Sequence, residues 1–368
     1  MEKQHTLLTI LGTRPEIIKL SPLIPLVCER FRHVLVHSGQ HYSYQMDALF
    51  FEELALPSPD YTLAVGSGSH GAQTAAMLER LEPILLQERP DAVLVQGDTN
   101  TTLAGALCAA KLGIPVVHLE AGGRSFNRRM PEELNRIMVD HISALLLAAD
   151  SAAEQHLFNE GLAQADIHMI GSSVIDAVIR HRPSAETKSL ILERLELAPQ
   201  SYLALTLHRN ENTTQEQLPG IVRALNEIAE RMPIVFARHP RTAAAMSQFG
   251  LSLSSNIRSI EPLGYLDTLK LVGHADALLT DSGGLQEEAG ALGVPTLILR
   301  NETEWSYLVD AGVHVLVGNS YESIRSGAET WLAQDAMARL RTTKVPLWPG
   351  ASERAVRAIE AFLASRTV

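Results

Sequence analysis

Asp98 and Glu120 each stand at the end of an apolar run, and a third acidic group follows in Pro131-Glu-Glu-Leu-Asn-Arg136. The first run, Ala92–Val95, leads into Gln96-Gly-Asp-Thr-Asn-Thr-Thr102. The second, within Ile114–Leu119, leads into Glu120-Ala-Gly-Gly-Arg-Ser125. In an open parallel sheet, ligands bind outside the carboxyl ends of the strands. Carboxylates gathered at such an edge are suited to moving protons at carbon. Read singly, each acid has a plainer use: Asp98 as a cap for the helix that follows it, Glu120 as a turn acid, and the Pro-Glu-Glu group as the start of a helix whose dipole favours acids. Convergence of all three on one sheet edge favours catalysis over three separate structural roles.

A second group of residues suits an anion. Asp281-Ser-Gly-Gly284 follows the apolar run Ala277–Thr280 and opens a helix. Free N–H groups and the dipole at a helix start favour phosphate, Ser282 adds a hydroxyl, and Gly283 and Gly284 allow close backbone approach and unusual dihedral angles. Glu287 and Glu288 lie about one turn further on, within reach of ribose hydroxyls. Gly12-Thr-Arg-Pro-Glu-Ile-Ile-Lys19 is a parallel element, in which Arg14 offers a fork of donors and Lys19 a point charge. His208 with Arg209, and His239 within Arg238-His-Pro-Arg241, suit phosphate contact or acid–base work at two further strand ends.

The elements that must position these groups alternate. In the first half, strands are expected at Leu7–Leu11, Val34–His37, Ala92–Val95, Val116–Leu119 and Leu145–Ala148. Helices are expected at Pro15–Arg30, Tyr44–Leu54, Gly71–Gln87, Thr101–Leu112 and Ala152–Glu160, with a further helical stretch ending at Arg182. The pattern restarts after Pro199 with strands Tyr202–Thr206, Ile234–Phe236, Ala277–Thr280 and Pro295–Leu299, and helices Leu218–Arg231, Tyr265–Gly273 and Leu285–Leu292. The last helix, Ser352–Ser365, follows the loop Pro346–Gly350. Such alternation predicts an α/β protein of two doubly wound, Rossmann-like domains, linked near Gly171–Ser184.

Composition narrows the classes. The chain has 368 residues, 46% hydrophobic and 20% charged, with a formal net charge of -11. That balance argues against a nucleic-acid footprint while leaving room for an anionic small molecule. Cys28 and Cys108, the two cysteines, both lie in apolar surroundings and read as buried free thiols, in keeping with a reducing compartment. The apolar runs are too short for a signal peptide or a membrane span, so a cytoplasmic protein with no membrane partner is expected. Fourteen histidines are present, but no H-E-x-x-H or C-x-x-C occurs, and no metal is expected. Gly66-Ser-Gly-Ser-His-Gly71 fits G-x-G-x-x-G, yet it does not follow the first strand, and no acid is well placed beyond it; it reads as a polar loop and not as a nicotinamide site.

Taken together, Gly12-Thr-Arg-Pro-Glu16, Gln96-Gly-Asp-Thr99, Glu120-Ala-Gly122, Pro131-Glu-Glu133, Asn135-Arg136, His208-Arg209 and Asp281–Glu288 resemble the non-hydrolysing UDP-N-acetylglucosamine 2-epimerases in type and order, from about residue 7 to the C-terminal helix. The resemblance implies a glycosyltransferase-B-like fold with the active site in the interdomain cleft. It implies an N-terminal domain over residues 1–172, with the C-terminal helix 352–368 packing back on it, and a UDP-binding domain over 173–351. It implies interconversion of UDP-GlcNAc and UDP-ManNAc without a cofactor, with Asp98, Glu120, Glu132 and His208 at catalytic positions. Arg14, Lys19, Ser282, Gly283, Gly284 and Glu288 match substrate contacts, and Arg136 a further functional position. A homodimer, and an activating second UDP-GlcNAc near Gly39–Gln45 and Gly66–Gly71, are known among members.

Some residues depart from the pattern. Gly123 stands where leucine is common, Trp305 where many members carry arginine, and Thr268 where some carry an aromatic residue. Gly39–Gln45 resembles relatives acting on modified UDP-sugars. The alternatives to UDP-GlcNAc epimerisation are therefore a 2-epimerase of a modified sugar such as UDP-2,3-diacetamido-glucuronic acid, and a UDP-sugar glycosyltransferase of the same fold.

Overall fold

The computed structural model describes residues 5–40, 44–162, 165–343, 345 and 347–366. His41–Ser43 of the Gly39–Gln45 segment, Pro346 and the last two residues of the chain lie outside the described residues. The chain forms two compact units, Met1–Ala177 with Trp348–Val368, and Val178–Leu347.

The first unit is built on strands β1 (Thr6–Leu11), β2 (Arg32–His37), β3 (Tyr61–Thr62), β4 (Ala92–Gln96), β5 (Val116–Ala121), β6 (Leu145–Ala148) and β7 (Asp166–Met169). They pair in the order β3-β2-β1-β4-β5-β6-β7, all parallel. The second unit uses β8 (Leu203–Thr206), β9 (Ile234–Ala237), β10 (Ile257–Ile260), β11 (Ala277–Thr280), β12 (Thr296–Ile298) and β13 (His314–Leu316), in the order β10-β9-β8-β11-β12-β13 and again parallel. Both orders are doubly wound, and in both the direction of winding reverses beside the unit's first strand, where such sheets bind ligands.

Central strands are apolar along their whole length because helices cover both faces. All six residues of β1 are buried. Leu8, Ile10, Val93 and Val95 pack with Met77, Leu81 and Leu85 of the helix His70–Glu88 and with Ala104 and Ala106 of the helix Asn100–Lys111. In the second unit, Leu203, Leu205, Phe236 and Leu279 pack with Ile221 and Leu225 of the helix Leu218–Ala229. The C-terminal helix, Ala351–Ser365, belongs to the first unit; Arg30 pairs there with Glu353 at 2.7 Å and Glu360 at 3.0 Å.

Four sequence expectations need correcting. The helix expected over Pro15–Arg30 is two helices, Arg14–Leu20 and Leu23–Arg30, because Pro22 cannot donate to the preceding turn and Ser21 closes it on the Ile18 carbonyl. The helix expected to end at Arg182 runs from Ser173 to Lys188 through Pro183; Ile179, the residue whose carbonyl loses its partner, stands on an exposed face. Gly283 and Gly284 do not take left-handed dihedrals; they are the first residues of the helix Gly283–Leu292. Cys28 is exposed, while Cys108 is buried and its thiol is pushed up to about 11 by that burial.

Candidate active site

In the first unit, the turn after β1 sets the outer wall. Glu16 is fully buried. One of its oxygens accepts from Gly12 N and Thr13 N at 2.8 and 2.7 Å, and the other from the hydroxyls of Thr99 and Thr102 at 2.7 and 3.2 Å. The carboxyl thus ties the β1 turn to the β4 turn, and burial holds it above the usual carboxylate range against those donors. Thr99, and not Asp98, caps the helix Asn100–Lys111, accepting from Thr102 N. Asp98 is thereby left to face Arg136, 2.5 Å away; its side chain is 34% exposed, and Asn135 fixes its backbone by donating to the Asp98 carbonyl at 2.8 Å. Burial by the surrounding chain raises the Asp98 carboxyl above the ordinary range, outweighing the pull of Arg136 and Lys19.

Glu120 is not beyond its strand, as the sequence suggested, but the penultimate residue of β5. The register with β6 shifts between Leu119 and Ala121, and Glu120 takes φ +72. A left-handed conformation costs a non-glycine residue about 1–2 kcal/mol, so its surroundings must hold it. Lys19 Nζ lies 2.6 and 2.8 Å from the two Glu120 oxygens, and Gln96 Nε2 donates to Oε2. Lys19 therefore meets Glu120 directly. Because β4 and β5 are neighbours, Asp98 and Glu120 come from adjacent strand ends, each against its own cation.

The acids of Pro131–Arg136 divide. Glu132 is exposed in the first turn of the helix Pro131–Ile142. Glu133 is buried; it accepts from Ser125 N and Phe126 N at 3.0 and 2.8 Å and pairs with Arg136 at 2.7 Å, an i,i+3 contact. These donors hold it below the usual range although burial acts the other way. Arg14 lies over the Phe50 ring, 5.2 Å from its centre. The first unit thus brings Lys19, Asp98, Glu120 and Arg136 into ion-paired contact and leaves Glu132 at the surface.

In the second unit, Asp281 follows β11 and is fully buried. It accepts from His208 N at 2.9 Å, Arg209 N at 2.8 Å and Asn212 Nδ2 at 3.1 Å, and His208 Nδ1 lies 3.1 Å from Oδ1. Burial tends to raise this carboxyl, but His208 and the backbone donors outweigh it and hold it low. His208 and His239 rings lie 5.6 Å apart, and His239 caps the helix Pro240–Gln248 by accepting from Arg241 N. Ser282 caps the helix Gly283–Leu292, as a serine there should. A Cβ on Gly283 would come within 3.4 Å of Arg209 Nη2 and 3.7 Å of Trp305 Nε1, so Ser282, Gly283, Arg209 and Trp305 share one small surface. Glu288 is buried inside the helix, and Glu287 receives the Tyr307 hydroxyl at 3.2 Å.

Glu16, Gln96 and Asp281 stand within motifs of the sequence that assign them no role individually; the structure gives each a hydrogen-bond partner beside the candidate site. Glu132 and Glu133 stand at i,i+4 and i,i+3 from Arg136, both pairing distances on a helix, so spacing alone does not separate them. No group of His, Cys, Asp or Glu among the described residues is arranged to hold a metal ion, and no helix among them is long and apolar enough to cross a membrane.

Paired Rossmann-like units with ion-paired acids at the strand ends define an α/β enzyme of the glycosyltransferase-B-like class. A family profile described as UDP-N-acetylglucosamine 2-epimerase matches residues 28–360. The UDP-N-acetylglucosamine 2-epimerase of Methanococcus maripaludis is 47% identical over 333 residues, which are 88% of this chain and 90% of that protein. The UDP-2,3-diacetamido-2,3-dideoxy-D-glucuronate 2-epimerase of Pseudomonas aeruginosa is 42% identical over 335 residues, 89% of this chain and 92% of the relative. The crystal structure of Methanocaldococcus jannaschii UDP-GlcNAc 2-epimerase in complex with UDP-GlcNAc and UDP superposes with a TM-score of 0.89 at 44% identity, covering 97% of this chain and 99% of that one. The chain belongs to the UDP-N-acetylglucosamine 2-epimerase family, and it is an isomerase of the epimerase class.

Proposed function

We propose that this enzyme interconverts UDP-GlcNAc and UDP-ManNAc by eliminating UDP and adding it back. The C2 proton of the sugar has no neighbouring carbonyl to acidify it. Departure of UDP from C1 takes the C1–O electron pair and leaves positive character at the ring. An acid side chain in its carboxylate form then accepts the C2 proton, and the C2–H electron pair becomes the double bond of 2-acetamidoglucal. Return of UDP to C1, with a proton delivered to C2 from the opposite face, inverts C2 and leaves atoms and charge unchanged overall.

Two faces call for two proton-handling groups, and the observation that carries the proposal is the pair Asp98 and Glu120 on adjacent strand ends, each against a cation. Glu132, exposed beside them, is the third acid within the proposal. Arg209, His208 and the helix start at Ser282–Gly284 are the proposed diphosphate contacts, where fixed donors stabilise the leaving group. Arg14, Lys19, Arg136, His239 and Glu288 complete the proposed substrate contacts. A homodimer is proposed from the family resemblance and a cytoplasmic setting from the short apolar runs; a second UDP-GlcNAc site near Gly66–Gly71, which some members carry, is tested by a sigmoidal dependence of rate on UDP-GlcNAc.

The deciding experiment incubates the protein with UDP-GlcNAc in deuterated water, with no acceptor, and follows the sugar by NMR. UDP-ManNAc carrying deuterium at C2 is expected. Free ManNAc would overturn the proposed chemistry, and no change would overturn UDP-GlcNAc as the substrate. The 42% identity to an epimerase of a diacetamido-glucuronate sugar motivates a parallel incubation with that substrate; exclusive turnover of it would move the substrate and leave the chemistry.

A further inference from the structure

Beneath the two acid-bearing turns lies a buried cluster that the reaction itself does not use. His118, in β5, is fully buried. Its Nδ1 is 2.6 Å from Asp140 Oδ1, and its Nε2 is 2.8 Å from the Gly97 carbonyl. Asp140 Oδ2 accepts from Gly122 N at 3.1 Å and lies 2.7 Å from Arg124, which also grips Glu160 at 2.7 and 2.8 Å. Gly97 immediately precedes Asp98, and Gly122 lies two residues after Glu120. Both glycines have positive φ, +74 and +79, and so does Glu120 between them. One imidazole and its carboxylate partner thus hold both turns, and the second of them carries Glu120 in a conformation that a non-glycine backbone does not favour by itself.

The ring has an acceptor at each nitrogen. Asp140 is held as a carboxylate: burial works against its charge, but His118 and Arg124 outweigh it. A carbonyl oxygen can only accept. Nε2 therefore donates to the Gly97 carbonyl, while Nδ1 faces the Asp140 carboxylate.

We infer that His118 is a positioning residue for this reaction, setting the Asp98 turn through the Gly97 carbonyl and the Glu120 turn through Asp140. This rests on the reading of Asp98 and Glu120 as the proton-handling groups. If His118 were replaced, Asp140 would keep Arg124 and Gly122 N, so the fold retains its buried ion pair. The Gly97 carbonyl would lose its side-chain donor.

The test compares His118→Phe and His118→Gln with the parent by steady-state kinetics on UDP-GlcNAc and by amide hydrogen exchange of the free protein. Misplacing catalytic groups by about 1 Å can cost about 100-fold. His118→Phe is expected to lower kcat by about that factor with KM within about threefold, and His118→Gln, which can still donate to Gly97, to recover part of the loss. In the free protein, residues 97–99 and 120–123 of His118→Phe should exchange at least about tenfold faster, with other segments unchanged. A kcat within about threefold of the parent, or unchanged exchange in those two segments, would overturn the inference. Should His118→Phe not fold, His118→Gln carries both readouts at smaller amplitude. The exchange arm needs no substrate. A parent that epimerises nothing would therefore sink the proposed function, while the role of His118 would still be decided.

Discussion

His208 and Asp281 are joined twice: the carboxylate accepts from the His208 backbone N–H at 2.9 Å, and its Oδ1 lies 3.1 Å from the His208 ring nitrogen Nδ1. The two residues follow β8 and β11, the adjacent strands at which the second sheet reverses its winding. Asp281 therefore sets both the backbone and the ring of the histidine at the ligand-binding edge.

Asp281→Asn keeps the shape and removes the charge. It leaves His208 N and Arg209 N competing for one oxygen, at an expected cost of about 2–4 kcal/mol at pH 7. The carboxyl is held low in the folded protein, so its contribution is present above the unfolded value of about 3.9 and is lost as pH falls through the lower folded value. Urea unfolding of parent and variant should show a difference that is constant near neutrality and narrows only in acid. A gap that instead narrowed toward high pH would contradict this assignment.

Asp98→Asn and Glu120→Gln should each lower kcat by about 1,000-fold or more, while UDP binding, measured by calorimetry, stays within about threefold. UDP carries no C2 proton, so its affinity reports the phosphate contacts and not the acids. Near-normal turnover in both variants would remove the two-acid mechanism.

Glu16 gives a sharper sign. Burial raises its carboxyl, so the charged form is disfavoured in the fold; its stabilising contribution is greatest below the unfolded value and is lost as pH rises through the folded one. In Glu16→Gln, the amide oxygen can accept from Gly12 N and Thr13 N, and the NH2 can donate to the hydroxyls of Thr99 and Thr102. This variant should lie within about 1 kcal/mol of the parent at pH 7 and gain on it as pH rises from 4. Glu16→Ala orphans two buried N–H groups and should cost about 2–4 kcal/mol. Urea titrations across that range check both.

Legibility in the sequence followed burial. The central strands announced themselves as apolar runs. The four strands that gave no signal, β3, β7, β10 and β13, are the four sheet edges. Edge strands are covered less, so Asp166–Met169 and Ile257–Ile260 carry polar and charged residues that mask the pattern. Asp98, Glu120 and the Ser282 helix start were legible because strand ends and glycine-rich turns mark them. Glu16, His118 and Asp140 were not. His118 is a polar residue within an apolar strand, Glu16 and Asp140 stand among other polar residues of their helices, and each finds its partner in another part of the fold. Asp140, for example, meets His118 only because the helix Pro131–Ile142 packs back on β5.

Gly122 and Gly113 separate backbone strain from lost space. Both have positive φ, +79 and +71, so either one changed to alanine carries the left-handed penalty of about 1–2 kcal/mol. Around Gly113 a Cβ meets nothing within 4 Å. At Gly122 it would lie 2.2 Å from the Ala153 carbonyl oxygen and 3.0 Å from Leu157. Gly122 also donates to Asp140, so relief of that clash would pull the turn that carries Glu120. Gly113→Ala should lose about 1 kcal/mol and keep parental kcat. Gly122→Ala should lose at least about 3 kcal/mol and, in whatever fraction folds, reduce kcat by about 100-fold. Thermal unfolding and active-site-normalised kinetics on the two variants give both numbers; equal losses at the two positions would mean that backbone conformation alone, and not the close approach of Ala153, governs the Glu120 turn.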